Sequence, residues 1–424
     1  MNNRFVGSIF LWLCSCVLAY LVFTVSAKAD IAYAWGENTY GQVGDGTKSN
    51  IRNLPVPVTT LGNAVTSVAT GGTFSFAIEN GALYSWGLGN HGQLGIGTQS
   101  QHVRPVQITS LNSGVTALAG GLFHSVAVVN GGVYTWGDNT YYQLGDGTKN
   151  ESDFPMALSS LSSGVTSIAC GIFTNLATQN GAVYAWGDVD VAGTPLPTPT
   201  PVSGLSSGVT AIATEGGNQG QRGYSHNFAI KNGALYAWGT NAYSNNVGIL
   251  GDGTTTNRPT PVPVNTLTSG VTSVATGVSH AIAVKDGFVY AWGADLDPQG
   301  QNNSIGSLIP RLIDPTDLNN VVKIAATSYS SYALTADGSL WAWGYNSLGE
   351  VGQGTIDAAY YSPHRVLAPA GYLFTSVSSS GSGNQVVTTI APIPEPYSLS
   401  LITLFSVGLL HRRRMMRFSK PTKK

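Results

Sequence analysis

Charge is what this chain has least of. Lys, Arg, Asp and Glu together make up 10% of its 424 residues, against roughly 25% in an average soluble protein. The charge present is unevenly placed. Both ends are basic, while residues 30–393 hold 11 Lys+Arg against 20 Asp+Glu, a net charge of −9. An acidic body with no basic stripe argues against nucleic-acid binding, which rests on Lys and Arg neutralising phosphates. Cysteine is scarcer still. Cys14 and Cys16 fall in the first 29 residues and leave Cys170 alone in the remainder. One cysteine closes no internal disulfide, so packing has to hold the fold.

The constellations that carry chemistry are missing too. No His/Glu cluster has zinc spacing. Asp-Gly-Thr at 45–47, 146–148 and 252–254 lacks the alternating acids of a calcium loop. G-L-S-S-G at 204–208 fits the nucleophile-elbow pattern, but the same place elsewhere reads Leu161-Ser162-Ser163-Gly164 and Leu111-Asn112-Ser113-Gly114, which marks a recurring turn. G-L-G-N-H-G at 87–92 follows a strand but opens no helix, so it offers no helix N-terminus to a pyrophosphate. His124, His226 and His280 each stand six residues before the Asn or Asp of a turn, a register shared with Phe74, Thr174 and Ser331. A position that recurs in this way is structural, with the imidazole donating to a neighbouring backbone carbonyl. No catalytic residue, metal site or cofactor is expected, and the chain is read as a non-enzyme.

What is present is repetition. N-G-A-L-Y-S-W-G at 80–87 returns with small changes at 130–137, 180–187, 232–239, 286–293 and 337–344, and its second half stands at 31–36. The Trp of Trp-Gly falls at 35, 86, 136, 186, 238, 292 and 343, and a fixed period of this length signals a repeat architecture. Asn-Gly and Asp-Gly tolerate the positive φ angles of a type I′ turn. Apolar, strand-length runs flank each turn, so the phrase is a hairpin. A leading strand begins at Val65, Val115, Val165, Val209, Val271 and Val321, and Cys170 falls within one of them. A fourth run contains proline, as in Pro55-Val56-Pro57-Val58; proline donates no ladder bond, so this run is an edge strand. Four strands per unit predict propeller blades. Residues 31–36 lack a first half, which 374–390 supply. The expected fold is all-β: a seven-bladed propeller over residues 30–390, closed by pairing of the two ends, so that no sheet edge stays open between first and last blades.

The fullest unit, W-G-L-G-N-H-G-Q-L-G-I-G-T at 86–98, with its counterparts at 35–47 and 136–148, resembles the repeat of the regulator of chromosome condensation family, a seven-bladed propeller. The resemblance covers about 360 of the 424 residues. The units after Trp186 and Trp292 depart from it. The family's best-known activity, nucleotide exchange on a small GTPase, is what the resemblance would imply.

The ends suggest a different setting. Arg4, the apolar run 10–25 and Ala27-Lys28-Ala29 read as a secretory signal peptide over residues 1–29, cut between Ala29 and Asp30. At 391–424, Pro394-Glu395-Pro396, the apolar run 399–410 and four arginines at 412–417 resemble the PEP-CTERM sorting signal of exported bacterial proteins. That resemblance implies processing by an exosortase-type protease besides signal peptidase. The run of twelve is short of the ~20 residues a spanning helix needs. The expected setting is export, to the cell surface or medium of a Gram-negative-type bacterium, with transient membrane anchoring. The expected function is a binding or scaffold propeller with an unidentified protein or glycan ligand. A secreted enzyme, or an enzyme inhibitor using the propeller face, is the alternative. Nucleotide exchange ranks third, because both ends point out of the cytoplasm.

Strand parity separates the loops. The Asn-Gly and Leu-x-Ser-Gly turns share one face, while the long unequal loops share the other. That second face carries Tyr40, Tyr141, Tyr142, Tyr224, Tyr243, Tyr360 and Tyr361, with Arg222 in a Gly-rich insertion. Tyr and Arg are favoured at hot spots, so Tyr141, Tyr142, Arg222 and Tyr224 are the candidate ligand-binding residues.

Overall fold

The computed structural model describes residues 30–189, 194–216, 224–241, 248–293, 306–357 and 359–393. The cleavage residue Ala29 and the Pro394-Glu395-Pro396 motif lie outside them. Asp30 lies inside, and its carbonyl accepts from Val65 N.

The repeating phrase folds as its composition dictates. In the second blade Val65–Thr70, Phe74–Glu79, Ala82–Gly87 and His102–Gln107 pair antiparallel in sequence order. Asn80 and Gly81, at φ 52° and 79°, make the tight turn whose twist suits the two strands. Asn130, Asn180, Asn232 and Asp286 repeat it with φ of 51–53°. The sixth hairpin differs. Its Ser331↔Trp343 pairing spans one residue more than Ser75↔Trp86, and the Asp337 carboxylate caps the longer turn by accepting from Ser339 N at 3.0 Å. This insertion corrects a register: Ser330, which pairs with Gly344, is the counterpart of His124, not Ser331.

Seven sheets result, six of four strands and one of five. In the last, Ile31–Gly36 lies between Arg52–Pro57 and Gln385–Pro392, paired in register from Ile31↔Ile390 to Gly36↔Gln385. The ring therefore closes by joining the two ends, as expected. The inner strand of that blade is split into Tyr372–Phe374 and Ser378–Ser379. The proline-bearing runs are outer strands in every complete blade, and Pro105 falls where the ladder skips from Val106 to His102.

The core is divided among the seams. Seven hydrophobic clusters are present, each drawing on two adjacent blades. The Trp of Trp-Gly anchors each cluster and reaches into the neighbouring blade. Trp86 Nε1 donates to the carbonyl of Gln42 at 2.9 Å, Trp136 to Gln93 at 2.8 Å and Trp186 to Gln143 at 2.9 Å. This explains the Gly-Gln-Leu-Gly stretch. The Gln side chain accepts from an amide two residues earlier, as Gln42 Oε1 does from Tyr40 N at 2.8 Å. The next residue, Val43 or Leu94, is fully buried. The second Gly has φ +80° at Gly44, and a Cβ there would stand 2.5 Å from Trp86 Nε1. Only glycine tolerates both the angle and the approach.

Candidate functional site

The antiparallel ladders fix two unlike faces. On one, the hairpin turns lie against the turns between blades, with Asn130 N donating to Gly114 O at 2.9 Å and Asn180 N to Gly164 O at 3.1 Å. This face is short and uniform. On the other, the loop after each inner strand is tied to the next blade, through Gly72 N to Gly121 O at 2.9 Å and Val278 N to Ser328 O at 3.1 Å. The long loops after Trp-Gly surround this inner ring.

Three of the four candidate ligand residues are described. Tyr141 packs on Phe173 with ring centroids 4.7 Å apart. Tyr224, 39% exposed, borders a shallow depression beside the same Phe173, together with Ile172 and Asp188. Tyr142, held at φ 64°, turns elsewhere and receives Lys149 Nζ 5.0 Å from its ring centre, a cation–π contact. Arg222 lies outside the described residues. Tyr141 and Tyr224 thus share a neighbourhood, and Tyr142 does not. Tyr360 and Tyr361 begin an outer strand, Ala359–Val366, instead of sitting in a loop. Sequence reasoning missed Phe123, Phe173 and Tyr329. They share a register three residues after an inner strand, and that recurrence was the available signal. Phe123 packs on His91 at 5.0 Å, and Tyr329 on Tyr345 at 6.1 Å; both tyrosines are exposed.

The three histidines link blades. His124 Nε2 lies 2.8 Å from Asn175 Oδ1, His226 Nε2 lies 2.8 Å from Thr276 Oγ1 and 3.0 Å from Gly277 O, and His280 Nε2 lies 2.9 Å from Ser331 Oγ. The partner is mostly a side chain of the next blade, with a backbone carbonyl reached only by His226. There the position equivalent to Asn175 is Ala281, which has nothing to offer. Burial lowers all three imidazoles to about 4, so they are neutral structural groups. The Asp-Gly-Thr loops are self-contained clamps. Asp252 Oδ2 accepts from Arg258 Nε at 2.7 Å. Burial opposes its ionisation, but Arg258 and Thr254 outweigh that and hold it below the usual carboxylate range.

The inner strands surround a central channel of about 390 Å³. Segment 380–383, from the closing blade, folds over its loop-face end. Ser380 and Ser382 are buried, and Gln385 Nε2 donates to Gly71 O at 2.7 Å. Glu215 reaches this plug from another blade and is fully buried, with Oε1 accepting from Gly216 N at 2.9 Å. Burial raises its carboxyl to about 8. Among the described residues no group of three or more His, Cys, Asp or Glu could hold a metal ion. What the loop face offers is shape, aromatic surface and backbone groups, which serve binding.

Known proteins agree with this geometry. The regulator of chromosome condensation (RCC1) repeat matches residues 31–78, 80–128, 130–177 and 232–284, and a second model of the same repeat matches 115–143 and 321–350. Among curated relatives, the mitochondrial RCC1 domain-containing protein RUG3 of Arabidopsis thaliana is 29% identical over 187 residues, 42% of this chain and 40% of its own length. The guanine nucleotide exchange factor SRM1 of Saccharomyces cerevisiae is 28% identical over 194 residues, 42% of this chain and 38% of its own. The match thus spans about two fifths of each relative. Among solved structures, human WBSCR16 superposes with a TM-score of 0.74 at 23% identity, covering 87% of this chain and all of that one. Prp20p of S. cerevisiae, described with its binding to Gsp1p and histones, gives 0.72 at 22%, covering 90% and 96%. At these identities the structures establish the fold.

These relatives correct three expectations. The exported binding or scaffold module finds no counterpart among these relatives, of which SRM1 is a guanine nucleotide exchange factor. The exosortase-type protease, signal peptidase and glycan ligand find no counterpart either; the partners named for Prp20p are Gsp1p and histones. The bacterial cell surface is not the setting named for these relatives: RUG3 is a mitochondrial protein of A. thaliana and SRM1 is a protein of S. cerevisiae. The earlier reading rested on the two terminal segments, which lie outside the described residues, whereas every family match falls on the blades. By those matched repeats and the closed ring that they build, the chain belongs to the RCC1 repeat family.

Proposed function

We propose that this propeller docks a small GTPase on its loop face and promotes release of the bound nucleotide. The observation that carries the reading is the concentration of blade-to-blade irregularity on that one face, together with its exposed Tyr224, Tyr329 and Tyr345. The similarity to SRM1 supplies the partner class. Nucleotide exchange needs no covalent step: a surface that binds the nucleotide-free partner more tightly than the loaded one shifts the equilibrium by that difference. Such a surface requires a rigid frame and hot-spot side chains, and Tyr141, Tyr142, Arg222 and Tyr224 are proposed for that role.

The test is release of a fluorescent GDP analogue from purified Gsp1p in the presence of the purified chain. Acceleration over the spontaneous rate is expected. A hot-spot truncation costs about 2 kcal/mol or more, or roughly a thirtyfold loss of affinity. Alanine at Tyr141 and Tyr224 should therefore weaken exchange, while Ser163→Ala on the turn face leaves it unchanged. Release at the spontaneous rate under excess chain would refute the proposal.

A further inference from the structure

The central channel is a dead-end cavity with one charged wall residue. Its lining repeats by blade. The third residues of the inner strands are small, Ser67, Ala117, Ser167, Ala211 and Ser273, of which Ser67 and Ala117 line the channel, but the sixth copy places Lys323 there. The segment 380–383 closes the loop-face end, and the solvent-exposed second residues of the inner strands, such as Thr66 and Val322, mark the open end near the turns. Lys323 stands toward that mouth and is itself solvent-accessible. Among the described residues no carboxylate forms an ion pair with it.

Between mouth and plug the wall side chains are mostly small and aliphatic, such as Ala69, Ala119, Ala213 and Ala325, while polar groups make up the larger part of the exposed lining. The inner strands of the complete blades are bonded within their sheets on one side only, so their free edges turn peptide groups toward the cavity. At the closed end Thr70 Oγ1 and Glu215 Oε2, the latter held against Gly381, are buried without a hydrogen-bond partner. A polar atom in that position ordinarily has a partner.

We propose that the channel is a binding site for a small organic anion, with its acidic group at Lys323 and a short aliphatic body lying along the alanines toward the plug. The volume of about 390 Å³ falls at the low end of small-molecule pockets. Residues 67–70 at about 3.3 Å per residue give a wall of roughly 10 Å, the length of a six-carbon chain. The physical drive is at Lys323. The channel walls desolvate its ammonium and push its pKa below the usual lysine range. An anion placed beside it offsets that cost. Among the described residues that line the channel Lys323 alone carries a charge, so the head group has one place to go. The inference does not depend on the loop-face partner, because the site opens on the opposite face.

Calorimetric titration of the full chain tests it, with hexanoate, hexanol and inorganic phosphate as probes. Hexanoate should bind one to one, at least tenfold tighter than either hexanol or phosphate. Lys323→Met should weaken hexanoate at least tenfold and leave hexanol unchanged, whereas Lys323→Arg should retain it. Ala213→Phe, which fills the cavity without touching the lysine, should abolish binding of both; Ala275→Leu replaces it if that variant does not fold. Melting temperatures confirm that each variant is intact. No heat with hexanoate, equal binding to Lys323→Met, or equal binding to a filled channel would each overturn the proposal. Phosphate binding as tightly as hexanoate would overturn the apolar body.

Discussion

Position 350 carries Glu where the equivalent loops carry Gln42, Gln93 and Gln143. Its carboxylate performs the task of the repeated glutamine: Glu350 Oε2 accepts from Leu348 N at 2.9 Å, as Gln93 Oε1 accepts from His91 N at 2.8 Å. The residue is 2% exposed. Burial, with the nearby Glu37 charge, raises its carboxyl from 4.5 to about 7. The sign follows from linkage. The unfolded chain releases this proton at lower pH than the folded one, so the stabilisation is complete below about 4.5 and drains away as pH rises to about 7. A shift of that size is worth about 3 kcal/mol. Glu350→Gln removes the titration and keeps the acceptor oxygen, so the variant should gain about 3 kcal/mol on the parent between pH 4 and pH 8. With about 2 cal/mol/K of unfolding entropy per residue, roughly 360 folded residues convert this into about 4 °C. Scanning calorimetry of both proteins at pH 4.5, 6 and 8 measures it. The histidines and Glu215 are common to both chains and cancel in the difference. A melting-temperature gap that stays constant across that range would refute the assignment of Glu350 as a buried, strained acid.

Trp35→Ala should cost about 3–5 kcal/mol, because Trp35 is fully buried and its Nε1 donates to Glu350 O at 2.7 Å across the closing seam. Deleting residues 31–36 should lower the melting temperature further still, and an unchanged melting curve would mean that the ring closes elsewhere. Gly44→Ala should destabilise by clearly more than Gly81→Ala in chemical denaturation: both have φ near +80°, but only Gly44 would drive a Cβ into Trp86, while Gly81 has nothing within 4 Å. The histidines act with the opposite sign to Glu350. Their lowered folded values mean that stability is full above about 6.5 and is lost as pH falls toward 4, so His124→Gln should flatten the fall in melting temperature between pH 7 and 4.5.

What the sequence made legible, and what it hid, divides along the range of the contacts. The hairpin phrase lies within eight residues and its turn angles depend on two of them, so Asn80-Gly81 could be read directly. The ring closure was readable because 31–36 are visibly half of a known unit. The sixth hairpin was misread by one residue, because Asp337-Gly338 looks like the other turns while the extra residue, between Thr335 and Asp337, lengthens the turn itself. The candidate face was legible as a whole from strand parity, yet its aromatic pairs were not. Tyr141 meets Phe173 and His91 meets Phe123 only because adjacent blades bring loops about thirty residues apart into contact. The plug was invisible for a stronger reason. Ser-Ser-Ser-Gly-Ser-Gly at 378–383 has no period and no apolar residue, and its role comes from partners such as Gly71, Glu215 and Ser328 on three other blades. A ring brings such distant residues together by closing. The repeat specifies the frame, while the copies that break the repeat, Lys323, Glu215 and Glu350 among them, are where an ionisable group stands without an opposite partner. Those departures are therefore the places to look for what distinguishes this propeller from others built on the same repeat.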